Sequence, residues 1–135
     1  NLDDLLILRP FPQIQSGTKT IPEIWTNYRK DMLSKAGIAI FLFGNKLNDK
    51  GEIVNSNGME EEFKICLEFG VIPIPIGATN FISKILWDEI MTNFDKYYPN
   101  NSGLRSAIEE IGNSSNSTDK IISNVIKAIN ILQKI

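Results

Sequence analysis

Apolar runs and amphipathic stretches alternate along this chain, and their order sets the expectation for its fold. Residues 5–8, Leu-Leu-Ile-Leu, read as a short buried strand. Residues 9–17 read as a loop, where Pro10 and Pro12 prevent regular pairing. Thr20 and Glu23 match a capping box with Pro22 in the first turn, which predicts a helix running to about residue 35. Its apolar stripe is Ile21, Ile24, Trp25, Tyr28, Met32 and Ala36, and Arg29 lies beside that stripe. Residues 38–43 form a continuous apolar run, the pattern of a strand covered on both faces. A polar loop is expected over 45–57, long enough to suggest a functional or mobile segment.

Asn57 and Glu60 match a second capping box, with a helix to Phe69 and Gly70 as its stop. Residues 71–76 read as a third strand. Pro73 and Pro75 lie two apart, so both missing N–H groups face one side and mark a sheet edge or an early end to pairing on that side. A long helix is expected over 80–97, a turn over 99–103 and a short helix over 104–111 closed by Gly112. A last helix opens at Ser117 or Thr118 and carries Ile122, Val125, Ile126, Ile129 and Leu132 on one face.

The order is β-α-β-α-β-α followed by two helices. Such alternation predicts an α/β fold with a parallel sheet, right-handed crossovers and flanking helices. The chain opens on a strand, and Asn1 is not a start methionine. It is therefore expected to be a fragment of a Rossmann-like domain whose first strands lie upstream.

Composition narrows the function. At 135 residues the chain suits one domain with a real core. A net charge of −2 argues against broad nucleic-acid binding, and no apolar run approaches the length of a membrane span. Histidine is absent, so serine and cysteine triads and HExxH zinc chemistry are excluded within this chain. The single cysteine, Cys66, falls on an apolar helix face and reads as a buried structural thiol in a reducing compartment. Asn113-Ser114-Ser115 and Asn116-Ser117-Thr118 match glycosylation acceptors and read as a polar linker.

The chemistry concentrates in residues 37–79. Two apolar runs end in Gly44-Asn45-Lys46 and Gly77-Ala78-Thr79, and a helix between them opens with Gly58 and three glutamates. This places small and polar groups at the carboxyl edge of a parallel sheet, where open α/β folds bind ligands. Lys46 has two readings, a cation for a phosphate or ribose hydroxyl and a solvated loop lysine. Glu61 has two as well, an acceptor for ribose hydroxyls and a carboxylate at the positive end of a helix. Arg29 reads as a helix-surface arginine or as a bidentate phosphate fork. Gly77 marks either close backbone approach to a ligand or a plain turn.

Several segments together resemble one family. They are LILRPFPQ at 6–13, W-x₂-YRKDM at 25–32, IFLFGNK at 40–46, GMEEEFK at 58–64 and IPIGATNFISKILW at 74–87. In this order they look like the SLOG family, also called STALD, the sensor domains of sirtuin-like NAD hydrolases in Thoeris anti-phage defence. The resemblance implies one SLOG/STALD domain over 1–135, similar to the LOG and DprA Rossmann-like folds, with a helical extension over about 104–135. It implies binding of a cyclic ADP-ribose isomer made by a partner TIR protein. It also implies activation of an attached sirtuin-like effector that hydrolyses NAD, in a bacterial cytoplasmic homo-oligomer, with no cofactor in this domain.

By the same resemblance Arg29, Lys46 and Glu61 match the family's ligand-contacting arginine, lysine and glutamate, with Gly44, Asn45 and Gly77 at the same edge. The first strand and glycine-rich turn of the family are not in this chain. The PGGxGTxxE motif of LOG phosphoribohydrolases is also absent, which sets a LOG-like hydrolase with Glu61 as acid/base group second to a sensor. A purely structural oligomerisation module is the third reading, carried by the apolar face of the last helix.

Overall fold

The computed structural model describes residues 21–99 and 101–133. The strand expected at 5–8, the loop after it and the Thr20 cap lie outside these residues. The first described helix, α1, spans Ile21–Leu33. Strand β1 (Ile38–Phe41) follows, then β2 (Asn45–Leu47), β3 (Ile53–Asn55) and helix α2 (Asn57–Phe69). Strand β4 (Ile72–Pro75) leads through a tight 3₁₀ turn, Gly77–Thr79, into α3 (Phe81–Thr92) and the single-turn α4 (Phe94–Tyr97). A 3₁₀ turn at Ser102–Leu104 precedes α5 (Arg105–Ile111) and α6 (Thr118–Gln133).

The central pairing is parallel, β1 to β4, with Ile38 opposite Ile72 and Phe41 opposite Pro75. Helices flank this sheet, as the alternation of elements predicts for a Rossmann-like α/β domain. Ile72 and Ile76 donate their N–H groups to the carbonyls of Gly37 and Phe41. Pro73 and Pro75 alternate with those donors, so their missing N–H groups face away from β1. Among the described residues no strand pairs on that side, as the spacing of the two prolines requires. The Tyr98 hydroxyl instead donates to the Pro73 carbonyl at 2.6 Å within the core.

Four local expectations are revised. The polar stretch 45–57 is not all loop. It contains an antiparallel hairpin, with Asn45 opposite Asn55 and Leu47 opposite Ile53. Its turn is held by the Asn48 side chain, which accepts from the N–H groups of Lys50 and Glu52. Helix α2 starts one residue early, because Ser56 is its N-cap and Asn57 is already helical. Glu60 thus falls outside the capping-box position. The long helix 80–97 breaks at Asn93, whose backbone leaves the helical region at φ −123° and ψ 44°. Finally, β1 is not covered on both faces: Phe41 is buried, but Ile40 is 46% exposed. Full coverage belongs to β4, whose last three residues are all buried.

The stop of α2 is as expected. Gly70 takes the left-handed conformation at φ 70°, and the Cys66 carbonyl accepts the capping N–H. Cys66 is fully buried, and burial, with Glu62's charge second, pushes its thiol up to about 11. The core runs from Ile74 through Ile82 and Ile90 to Ile108 and Ile111, all buried. Trp87 of α3 joins the sheet to the C-terminal helices. Its indole N–H donates to the Ile108 carbonyl at 2.8 Å. A Cβ on Gly77 would stand 2.7 Å from its ring, and one on Gly112 would stand 2.1 Å away. The ring therefore fills a slot that two glycines leave open.

Candidate ligand site at the carboxyl edge of the sheet

The ends of β1 and β4 are tied together by unusual backbone. Phe43 and Gly44 both have positive φ, 56° and 97°. For a phenylalanine this is a strained conformation that only surrounding contacts hold. Those contacts are present. The Phe43 N–H donates to the Thr79 hydroxyl at 2.8 Å, and the Phe43 carbonyl accepts from Ser83 N–H at 2.9 Å. The Thr79 hydroxyl in turn donates to the Ile76 carbonyl at 2.7 Å. Asn80 and Phe81 repeat the positive φ at the start of α3. Gly44 is also sterically required, since a Cβ there would lie 2.6 Å from Ile82 Cβ. Its carbonyl accepts from Ser56 N–H at 2.7 Å, which brings the start of α2 against the end of β1.

These ties leave an open cleft of about 320 Å³. It is lined by Arg29 from α1, by Leu42 to Asn45 after β1, and by Ser56, Gly58, Met59 and Glu62 at the start of α2. Arg29 is 9% exposed, so the surface reading of this arginine does not hold. Its Nε donates to Glu62 Oε1 at 3.2 Å and its Nη1 donates to Glu61 Oε2 at 3.4 Å. Thr26, one turn earlier on α1, donates its hydroxyl to Glu61 Oε1 at 2.6 Å. The guanidinium fits because Gly58 has no side chain: a Cβ there would stand 2.6 Å from Nη2. Burial raises the Glu62 carboxyl above the usual glutamate range. The hydrogen bond and charge of Arg29 pull it back down, and Glu61 adds to the rise.

The structure thus brings Arg29, Gly44 and Asn45 to one cleft and ties Glu61 to it through Arg29. Lys46 lies next to that rim on β2, opposite Val54 and exposed, and is not among the lining residues. Gly77, the first residue of the turn that carries Thr79, lies against Trp87 and is likewise not in the lining. Sequence reasoning named Gly58 only as the opening of the helix and did not single out Glu62 or Thr26. Glu62 stands among three adjacent glutamates, and only the facing position of Arg29 distinguishes it. A second hollow, of about 340 Å³, borders Pro22, Glu23, Thr26 and Asn27 on α1. Thr26 lines this second hollow and is joined to Arg29 of the first through Glu61. Among the described residues no cluster of side chains could hold a metal ion, and no helix is long and apolar enough to cross a membrane.

A parallel α/β sheet with a polar cleft at its carboxyl edge, built from glycine turns, a buried arginine and a helix start, is the arrangement in which open α/β folds bind ligands. Comparison with known proteins is more specific. The chain belongs to the STALD family, the Sir2- and TIR-associating SLOG family, whose pattern it matches over residues 1–132. It is 42% identical over 132 residues to an NAD(+) hydrolase ThsA of Cytobacillus dafuensis, covering 98% of this chain and 26% of that protein. A ThsA of Bacillus cereus (strain MSX-D12) is 40% identical over 131 residues, again with 26% of its length covered. One from Acinetobacter baumannii (strain 532279) is 39% identical over 137 residues. The chain therefore spans about a quarter of the length of the curated relatives it matches.

Proposed function

We propose that this chain is a nucleotide-sensing regulatory domain. It binds a cyclic ADP-ribose isomer and thereby activates an attached NAD-hydrolysing effector in bacterial anti-phage defence of the Thoeris type. The observation that carries the reading is the buried Arg29 fork facing the Gly44–Asn45 turn across one cleft. A guanidinium held by its edges is a geometry suited to a pyrophosphate. Lys46, on a flexible stem one residue beyond the rim, supplies a second cation. Gly44 and Asn45 offer backbone at close range, and Gly77 seats the turn behind them. Glu61 accepts ribose hydroxyls, since a carboxylate has about four acceptor positions and only two are engaged by Thr26 and Arg29.

Two comparisons support the wider role. The relatives are NAD(+) hydrolases, and the family is described as associating with Sir2 and TIR proteins. The remaining three-quarters of such a protein would carry a sirtuin-like effector with NAD as its substrate, and a TIR protein would make the ligand. The ligand biases a homo-oligomer toward an active arrangement by binding that arrangement better. A hydrolase reading, with Glu61 as general acid/base, has less support, because the PGGxGTxxE motif of LOG phosphoribohydrolases is absent from the chain. The test is NAD cleavage by the full-length protein with and without a panel of cyclic ADP-ribose isomers. Stimulation by one isomer supports the reading, and indifference to every isomer refutes it.

A further inference from the structure

The cleft that faces Arg29 also contains a carboxylate with no assigned role. Glu62 lines the cleft, and its side chain is 24% exposed. It holds Arg29 by Nε, the edge of the fork next to the stem. Glu61 differs: it is 41% exposed, lies outside the lining and is anchored from behind by Thr26. An anion docking on Arg29 therefore sits beside Glu62. Among the described residues Arg29 and Glu62 are the only charged side chains lining this cleft, and they cancel. Within that described lining, the donors of Arg29 come without net positive charge.

We propose that Glu62 is a specificity-determining residue that sets the phosphate class of the ligand, admitting pyrophosphates esterified at both ends and rejecting those with a terminal phosphate monoester. The inference rests on the reading of this cleft as a nucleotide site. Its physical basis is charge per phosphate. An esterified phosphate carries one negative charge, whereas a terminal monoester carries about 1.5 to 2 at neutral pH. The extra charge meets Glu62 in a half-buried site where screening by water and salt is incomplete. A like charge a few ångströms away there changes affinity by roughly a factor of ten. Rejection by a built-in like charge is a general route to specificity. It would let a sensor ignore nucleoside mono-, di- and triphosphates, which end in a monoester, while taking pyrophosphates capped at both ends, ring-closed dinucleotides among them.

ADP and ADP-ribose differ in whether the terminal phosphate is capped, and the contribution of the added ribose cancels when wild type and Glu62 variants are compared. Calorimetric affinities of the full-length protein for ADP, ADP-ribose and the cyclic ADP-ribose isomers are to be compared with those of Glu62→Gln and Glu62→Asp. The wild type should prefer ADP-ribose over ADP, Glu62→Gln should lose about tenfold of that preference by gaining ADP, and Glu62→Asp should keep it. A wild type without preference overturns the proposal, as does a Gln variant that weakens both ligands in proportion or an Asp variant that behaves like Gln. If no cyclic isomer binds while the ADP-ribose preference is present and lost in Gln, the sensing reading falls and the Glu62 filter stands. Binding of neither class overturns both.

Discussion

The guanidinium of Arg29 occupies the space that a side chain on Gly58 would fill, with Nη2 2.6 Å from the position of the missing Cβ. The glycine at the start of α2 is thus not a capping device. It is the notch through which an arginine from another helix reaches the cleft. Two carboxylates then fix the fork, Glu62 at Nε and Glu61 at Nη1.

Gly58→Ala separates function from stability. Alanine in a helix normally gains up to about 1 kcal/mol over glycine. The group it would displace is the far end of a flexible side chain, so the fold yields by turning the guanidinium away. We expect stability within about 1 kcal/mol of wild type by urea titration. Affinity for the activating cyclic ADP-ribose isomer should fall about tenfold, the cost of one lost hydrogen bond to a charged group. Unchanged affinity would show that the position of Nη2 does not matter for binding.

The Trp87 slot predicts the opposite pattern. Gly112→Ala puts a Cβ 2.1 Å from the indole, which also donates to Ile108. The ring and α5 must separate, and overpacking of this kind costs about 2 kcal/mol. Gly112 has an ordinary φ of −93°, so backbone strain is not part of the effect. Denaturant melts followed by tryptophan fluorescence should show the loss, together with a changed native emission. A melt superimposable on the wild type would contradict the packing described.

Glu62 gives stability a pH dependence with a definite sign. Its folded-state carboxyl is raised, chiefly by burial, so its contribution is full below the ordinary glutamate range and is lost as pH rises through the raised value. Glu62→Gln removes this dependence. As pH rises from the ordinary glutamate range through the raised value, the wild type should lose stability relative to the Gln variant. Urea midpoints of both proteins across that range provide the measurement, and a difference that runs the other way would show that Arg29 outweighs burial.

Much of this architecture is legible in the residues themselves. The apolar run at β1, the stop at Gly70 and the edge-marking pair Pro73 and Pro75 each follow from local chemistry that tertiary contacts reinforce. The hairpin over 45–55 was hidden because its strands are only three residues long and solvent-facing, with Leu47 and Ile53 exposed at 68% and 61%. Such strands carry no buried face and so no alternating pattern. The break at Asn93 interrupts an apolar stripe that continues to Phe94, and periodicity alone passes over it. At the cleft, Gly44 and Asn45 were marked by their place after an apolar run. Arg29 drew two readings because its burial depends on Gly58 and Glu62, which lie some thirty positions further along the chain. Gly77 had two readings, close approach to a ligand or a plain turn, and the space beside it holds Trp87, a contact across ten positions that no local pattern displays.

The central claim is that the Arg29 fork is the anchor for a cyclic ADP-ribose isomer. Calorimetric titration of the full-length protein with the isomer that stimulates NAD cleavage, compared with Arg29→Ala and Glu61→Ala, tests it most directly. The account predicts saturable binding by the wild type. Arg29→Ala should lose at least about a hundredfold in affinity, as for a truncated buried charge pair, and Glu61→Ala a smaller amount. Equal affinity of wild type and Arg29→Ala, with both proteins folded, would contradict it.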